Sequence, residues 1–175
     1  NAIEERQSLE QFVKLDPDSD GDAWLRLAEL DLTSRNTGLR MPEMRFAIGM
    51  SLLPHRTAEL LPRWHEIGAM ELRSIGLDIE AARTDLQHGK VWTPGPDAGP
   101  YEFYRLAQMH AEEGDYLQAG ARVRSLLDLV PGFVPALDLG VEIFGAQEKN
   151  RDRMQMLVER VRRGGRTPAI DAVLR

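Results

Sequence analysis

The chain has 175 residues, 42% of them hydrophobic and 29% charged, with a net charge of -6 and no cysteine. That length suits one domain with a continuous core, and the composition is that of neither a disordered tail nor a membrane-embedded chain. The missing cysteines exclude disulfides, thiol catalysis and thiolate metal sites, and the acidic balance argues against a nucleic-acid partner.

No apolar run approaches the roughly 18 to 20 residues that span a bilayer. Because the first residue is Asn1 rather than Met, a fragment or processed product is expected, from a parent that could carry a signal segment or membrane anchor upstream. Charge is uneven along the chain. Acids outnumber bases from Glu4 to Asp31, and bases outnumber acids from Lys149 to Arg166. Two solvated helix faces account for this; a basic end that meets an acidic partner or the next subunit is the sharper alternative.

Helical periodicity dominates. The stretch Ile3 to Leu15 reads as one helix, closed before Pro17. Trp24, Leu27, Ala28 and Leu32 recur at three- and four-residue steps, and Phe46, Gly49 and Leu52 follow after a long turn around Asn36 to Leu39. Pro62 is expected in the first turn of a helix carrying Trp64, Ile67 and Gly68. A further helix over roughly Leu77 to Gly89 runs into the Thr93–Pro100 segment, whose prolines and glycines make it a loop. Next come Phe103, Leu106, Ala107 and His110, then Gly114-Asp115-Tyr116, then Ala119, Val123, Leu126 and Leu129. Phe133, Ala136, Leu139 and Gly140 open a last unit that continues through Met154, Leu157, Val158 and Val161. Strand signals are nearly absent. Pro17, Pro54, Pro94 and Pro131 fall at intervals of 37, 40 and 37 residues, a near-constant period of the kind that helical solenoids show.

The unit from Phe103 to Pro131 is the clearest, and each residue type has a mechanical reason. Small Ala107 and Ala119 allow two helices to approach closely. Gly114 can end a helix in the left-handed region, Asp115 can cap the next one, and Pro131 stops it. This unit resembles the tetratricopeptide repeat: a large residue, then Leu-Ala, an aromatic after the turn, a small residue and a closing proline. Asp22 to Pro54 resembles it well, and the other units less closely.

The resemblance implies an all-α fold, a right-handed superhelical stack of antiparallel helix pairs forming a single domain over 1–175. It divides the chain into a half repeat at 3–17, repeats at 21–54, 57–94, 101–131 and 133–163, and a terminal cap at 167–175. Trp24 and Trp64 match the family's packing position between helices.

Catalytic patterns fail on inspection. His65-Glu66 begins like a zinc-protease motif, but Ala69 stands where the second histidine belongs. Gly164-Gly165-Arg166-Thr167 lacks both the preceding strand and the spacing of a phosphate loop. The run Asp16 to Asp22 crowds carboxylates like a calcium loop, yet its twelfth position is Leu27 rather than a bidentate Glu. A helix stop at Pro17 and a cap at Asp20 or Asp22 is the expected role. No catalytic residue, cofactor or metal site is expected, and the chain is not expected to be an enzyme.

In the family the first helices of the pairs line a groove for a peptide. By register, the resemblance places Leu25, Glu29, Leu32, His65, Ala69, Leu72, Tyr101, Tyr104 and Gln108 there. The family's carboxylate-binding variant uses lysine, arginine and asparagine, where this chain has Leu25, His65 and Tyr104, so a mixed apolar and aromatic groove is expected. Trp92, in the Pro-Gly loop, is a further candidate for partner binding. The implied function is a scaffold for a protein or peptide partner. The cysteine-free composition and a resemblance of Leu39–Leu53 and Leu60–Gly76 to repeat portions of bacterial envelope proteins favour the periplasm or envelope over the cytoplasm. The alternative is a module that oligomerises or tethers a membrane-anchored parent, using an uncovered apolar side of the first helix.

Overall fold

Local capping chemistry sets the helix boundaries in the computed structural model, which describes residues 1–34, 41–90, 93–164 and 168–174. The first helix, α1 (Ala2–Leu15), starts where Asn1 accepts the Ile3 N–H at 3.1 Å and stops two residues before Pro17. Asp20 then caps α2 (Gly21–Thr33), accepting the N–H groups of Asp22 and Ala23 at 2.9 and 3.3 Å. The crowded carboxylates of this turn therefore include a helix cap, of a kind worth about 1 kcal/mol.

Helix α3 (Met41–Leu52) and a single 3-10 turn at Pro54–Arg56 lead into α4 (Thr57–Ser74), and Asp78 caps α5 (Ile79–Gln87). Helix α6 (Pro100–Glu112) begins on a proline, whose missing N–H would have been unsatisfied there in any case. Gly114 takes φ +77° behind it, and Asp115 accepts the Gln118 N–H at 3.2 Å to start α7 (Tyr116–Leu129). The remaining helices are α8 (Val134–Ala146), α9 (Asn150–Gly164) and α10 (Pro168–Leu174). The protein is all-α, with no strand among the described residues.

One expectation needs correction. Pro62 lies inside α4, five residues after its start, rather than in the first turn. The ring is exposed, so it costs one hydrogen bond to the preceding turn without disturbing the buried side. Trp24 does pack between helices: it is half-buried against the Val13, Ala23 and Leu27 cluster, and its indole N–H donates to the Pro17 carbonyl at 2.8 Å, tying the α1–α2 turn to α2.

Neighbours in sequence pack most extensively on each other: α2 on α3, α6 on α7 and α8 on α9, with α7 on α8 next. Helix α5 departs from that order, since it makes modest contact with α6, while α4 packs on α3 and α6. The tightest approach joins α2 to α3. A Cβ on Gly49 would stand 2.8 Å from the Gly21 carbonyl oxygen and 2.7 Å from Leu25 Cγ, so only glycine lets these backbones meet. The main core gathers Leu25 and Ala28, Phe46 and Met50, Trp64 and Ile67, Leu126 and Phe133 from α2, α3, α4, α7 and the α7–α8 turn. Ala107, Ala119, Val123 and Ile143 form a second cluster, in which small residues stand where α6 meets α7.

Candidate functional site

Helix α4 presents Trp64, His65, Gly68, Ala69 and Leu72 along successive turns, and α6 lays Tyr101 and Tyr104 across them. Trp64 is fully buried and anchors the arrangement. Its ring meets Tyr101, Tyr104 and Phe133 edge-on with centroids 5.0, 5.1 and 4.9 Å away, a preferred aromatic geometry. The indole N–H donates to Glu43 Oε1 at 3.0 Å, and the Glu43 backbone N–H donates to Glu71 Oε1 at 2.9 Å. Gly68 makes room for the Tyr101 ring, because a Cβ there would lie 2.1 Å from Tyr101 Cγ. The Tyr101 hydroxyl then reaches to 3.3 Å from His65 Nδ1.

The structure thus brings together His65, Leu72, Tyr101 and Tyr104. Leu72 and Tyr101 are buried, so they form the wall of the site rather than an open face, while His65 and Tyr104 remain half-exposed. Gln108 lies one turn beyond Tyr104 on α6, half-buried, and its Oε1 has no hydrogen-bond partner among the described residues. Leu25 is buried against α3, where it faces Gly49. Glu29 belongs to a surface ion network on α1 and α2, bonded to Arg26, which also holds Glu5. Trp92 lies outside the described residues.

Beside this aromatic group opens a cleft of about 530 Å³ between α4, α5 and α6. Its wall is Ala69, Leu72, Leu77, Ile79 and Tyr101; Arg73, Arg105 and Asp78 supply its charge. Clefts of about 630 and 720 Å³ elsewhere contain none of the expected residues. Sequence reasoning missed Arg73, Leu77, Ile79 and Arg105. The register that assigns a groove covers only the first helix of each pair, whereas Leu77 comes from the turn before α5 and Ile79 is the first residue of α5. Arg105 gave no signal beyond its neighbour Tyr104.

Glu43, Glu71 and Glu102 are buried around a minute cavity of about 10 Å³ next to Gly68 and Tyr101. Among the described residues no group of three metal-ligating side chains could hold an ion, and no helix is long and apolar enough to cross a membrane.

Burial holds the His65 imidazole below the ordinary histidine range, and the nearby Arg105 charge adds to that shift. Burial also lowers His110, against the opposing pull of Asp115, whose carboxylate lies 3.5 Å from Nδ1. Both rings are therefore neutral in the fold at a pH where the unfolded chain, titrating near 6.5, already binds protons. The unfolded state binds more protons, so stability falls as pH drops below about 7 and keeps falling until the folded rings titrate. The urea midpoint is expected to be lower at about pH 5.5 than at about pH 7.5. Part of that difference should vanish in a His65→Gln/His110→Gln variant, and equal slopes in the two proteins would rule these rings out as its source.

No family model, curated protein or solved structure matches this chain.

Proposed function

We propose that the chain is a non-catalytic binding module of the tetratricopeptide type, a right-handed stack of antiparallel helix pairs that receives a protein or peptide segment on the face built by α4 and α6. The observation that carries this reading is the convergence of half-exposed His65 and Tyr104 with Tyr101 beside an open, largely apolar cleft. Sites that take a ligand combine such an apolar wall with a few polar groups, and aromatic residues dominate binding energy at protein interfaces. The repeat reading draws on the pairing of sequence neighbours, the left-handed Gly114 and the small residues at the α6–α7 contact. An acidic chain argues for a protein partner over nucleic acid. The cysteine-free composition is what supports a bacterial envelope compartment over the cytoplasm in this reading.

The test is affinity capture from the native cell extract with the wild-type chain, Tyr104→Ala and Gln108→Ala, each checked for an intact thermal transition. A partner that wild type retains and Tyr104→Ala loses by about tenfold supports the face. A partner retained equally by all three proteins refutes it.

A second reading, self-assembly or tethering through the end helices, has its own observation. On α1, Ile3, Phe12 and Leu15 are 66%, 43% and 87% exposed, an unusual load of solvated apolar surface for one helix. A concentration-independent dimer by light scattering, with no partner captured, would favour it.

A further inference from the structure

Arginine in this protein is usually spoken for. Arg26 holds Glu5, Arg56 holds Asp22, Arg83 holds Glu112 and Arg160 holds Asp138, each at 2.7 to 2.9 Å between different helices or turns. Arg73 and Arg105 break that habit. Neither side chain makes an ion pair or hydrogen bond among the described residues, although carboxylates outnumber basic groups in the chain by 28 to 22. Both line the α4–α6 cleft, from two different helices. Arg105 is half-buried, and its charge is felt at His65, Tyr101 and Tyr104. Among the described residues the one acid lining the cleft is Asp78, whose Oδ1 accepts the Glu80 and Ala81 N–H groups at 2.9 and 3.3 Å. The cleft is therefore apolar in its wall and positive in its balance, within a protein that is negative overall.

Arg73 is exposed at the rim, whereas the half-buried Arg105 is partly out of water without a counter-charge; a carboxylate supplied from outside relieves that cost at Arg105 and reaches Arg73 through charge-assisted, often bidentate, bonds. A bare anion would leave the apolar wall unused. We propose that the cleft binds an acidic peptide segment, in which a large apolar side chain enters against Leu72, Leu77 and Tyr101 while an adjacent carboxylate meets Arg73 and Arg105. The carboxylate is either an Asp or Glu side chain or a chain terminus. This rests on the reading of the α4–α6 face as a binding surface, and it adds the chemistry of the partner.

The test is capture of random octapeptide pools on the immobilised wild-type chain, one pool with free C-termini and one amidated, with the bound peptides sequenced by mass spectrometry. The expected result is enrichment of carboxylates next to Leu, Ile, Met or Phe, about tenfold over the input pool. Enrichment confined to the free-acid pool identifies the chain terminus, and enrichment in both identifies acidic side chains. An Arg73→Gln/Arg105→Gln variant should lose the acid preference, keep its thermal transition and still retain apolar peptides weakly. Binding by the wild type should also weaken with salt. Acid enrichment that survives in the variant overturns the proposal. Capture of neutral or basic sequences that is lost on Tyr104→Ala also overturns it, yet leaves the binding face standing. Wild-type capture of no sequence class overturns both.

Discussion

Replacing Trp64 by alanine is expected to destabilise the protein by about 3–5 kcal/mol, the largest loss from any single truncation in the fold. Trp64 is fully buried, and its ring is shared by helices and turns far apart in sequence, through Tyr101, Tyr104 and Phe133. Truncation removes the transfer energy of the indole and leaves a cavity that three rigid rings cannot refill. It also takes the donor away from Glu43 Oε1, a buried carboxylate. For a domain of this size the loss corresponds to roughly a 10 °C fall in Tm. Trp64→Phe separates the two terms, since it keeps most of the packing and deletes only the N–H and part of the volume. Urea and thermal unfolding measure both. A loss below about 1 kcal/mol for the alanine variant would mean that the neighbouring rings collapse into the space and that Trp64 is not the anchor described above.

The second large effect is expected at Asp31, a carboxylate on α2 with 1% of its side chain exposed. Arg45 Nη1 lies 3.0 Å from Asp31 Oδ2, and Arg6 Nε donates to Oδ1 at 2.8 Å. Glu10 completes the network, 3.3 Å from Arg6 and from Arg45. The two arginines are not equal: the Arg45 side chain is 11% exposed and that of Arg6 is 40% exposed. Most of the charge compensation at depth therefore comes from Arg45, and solvent screens the Arg6 contribution.

Arg45→Met leaves Asp31 buried with only the solvent-screened Arg6 to compensate it and is expected to cost about 3 kcal/mol, whereas Arg6→Met should cost about 1 kcal/mol. The informative variant is the double Arg45→Met/Asp31→Leu. Removing both charges also removes the desolvation penalty, so this protein should recover most of the stability lost in Arg45→Met. Double-mutant cycles in urea read the coupling. A double variant no more stable than Arg45→Met would show that Asp31 is not the source of the loss.

Much of the helical pattern was legible from neighbouring residues. Asp20 and Asp115 act as caps, Gly114 takes the left-handed region, and α1 and α7 stop at the Pro17 and Pro131 turns. These signals are local, because a cap or a turn is decided within four or five residues. The same locality explains the miss at Pro62. Proline is most at home in a first turn, but the exposed side of α4 tolerates it further in, and the helix reaches back to Thr57.

What the sequence by itself determined, then, is that the chain is all-α, where most of its helices begin and end, and which small and left-handed residues its turns require. The register of the resemblance also singled out His65, Leu72, Tyr101 and Tyr104 without showing which of them would be covered. The tertiary structure alone decided that Tyr101 sinks over Gly68 and becomes wall, and that Leu25 faces Gly49 on the next helix. It alone decided that Arg45 is consumed by Asp31 while Arg73 and Arg105 are left at the edge of a cleft. The physical reason is common to all of these. Burial and charge compensation depend on partners some 14 to 33 residues away in this chain, and only the packing of its helices determines which of them meet.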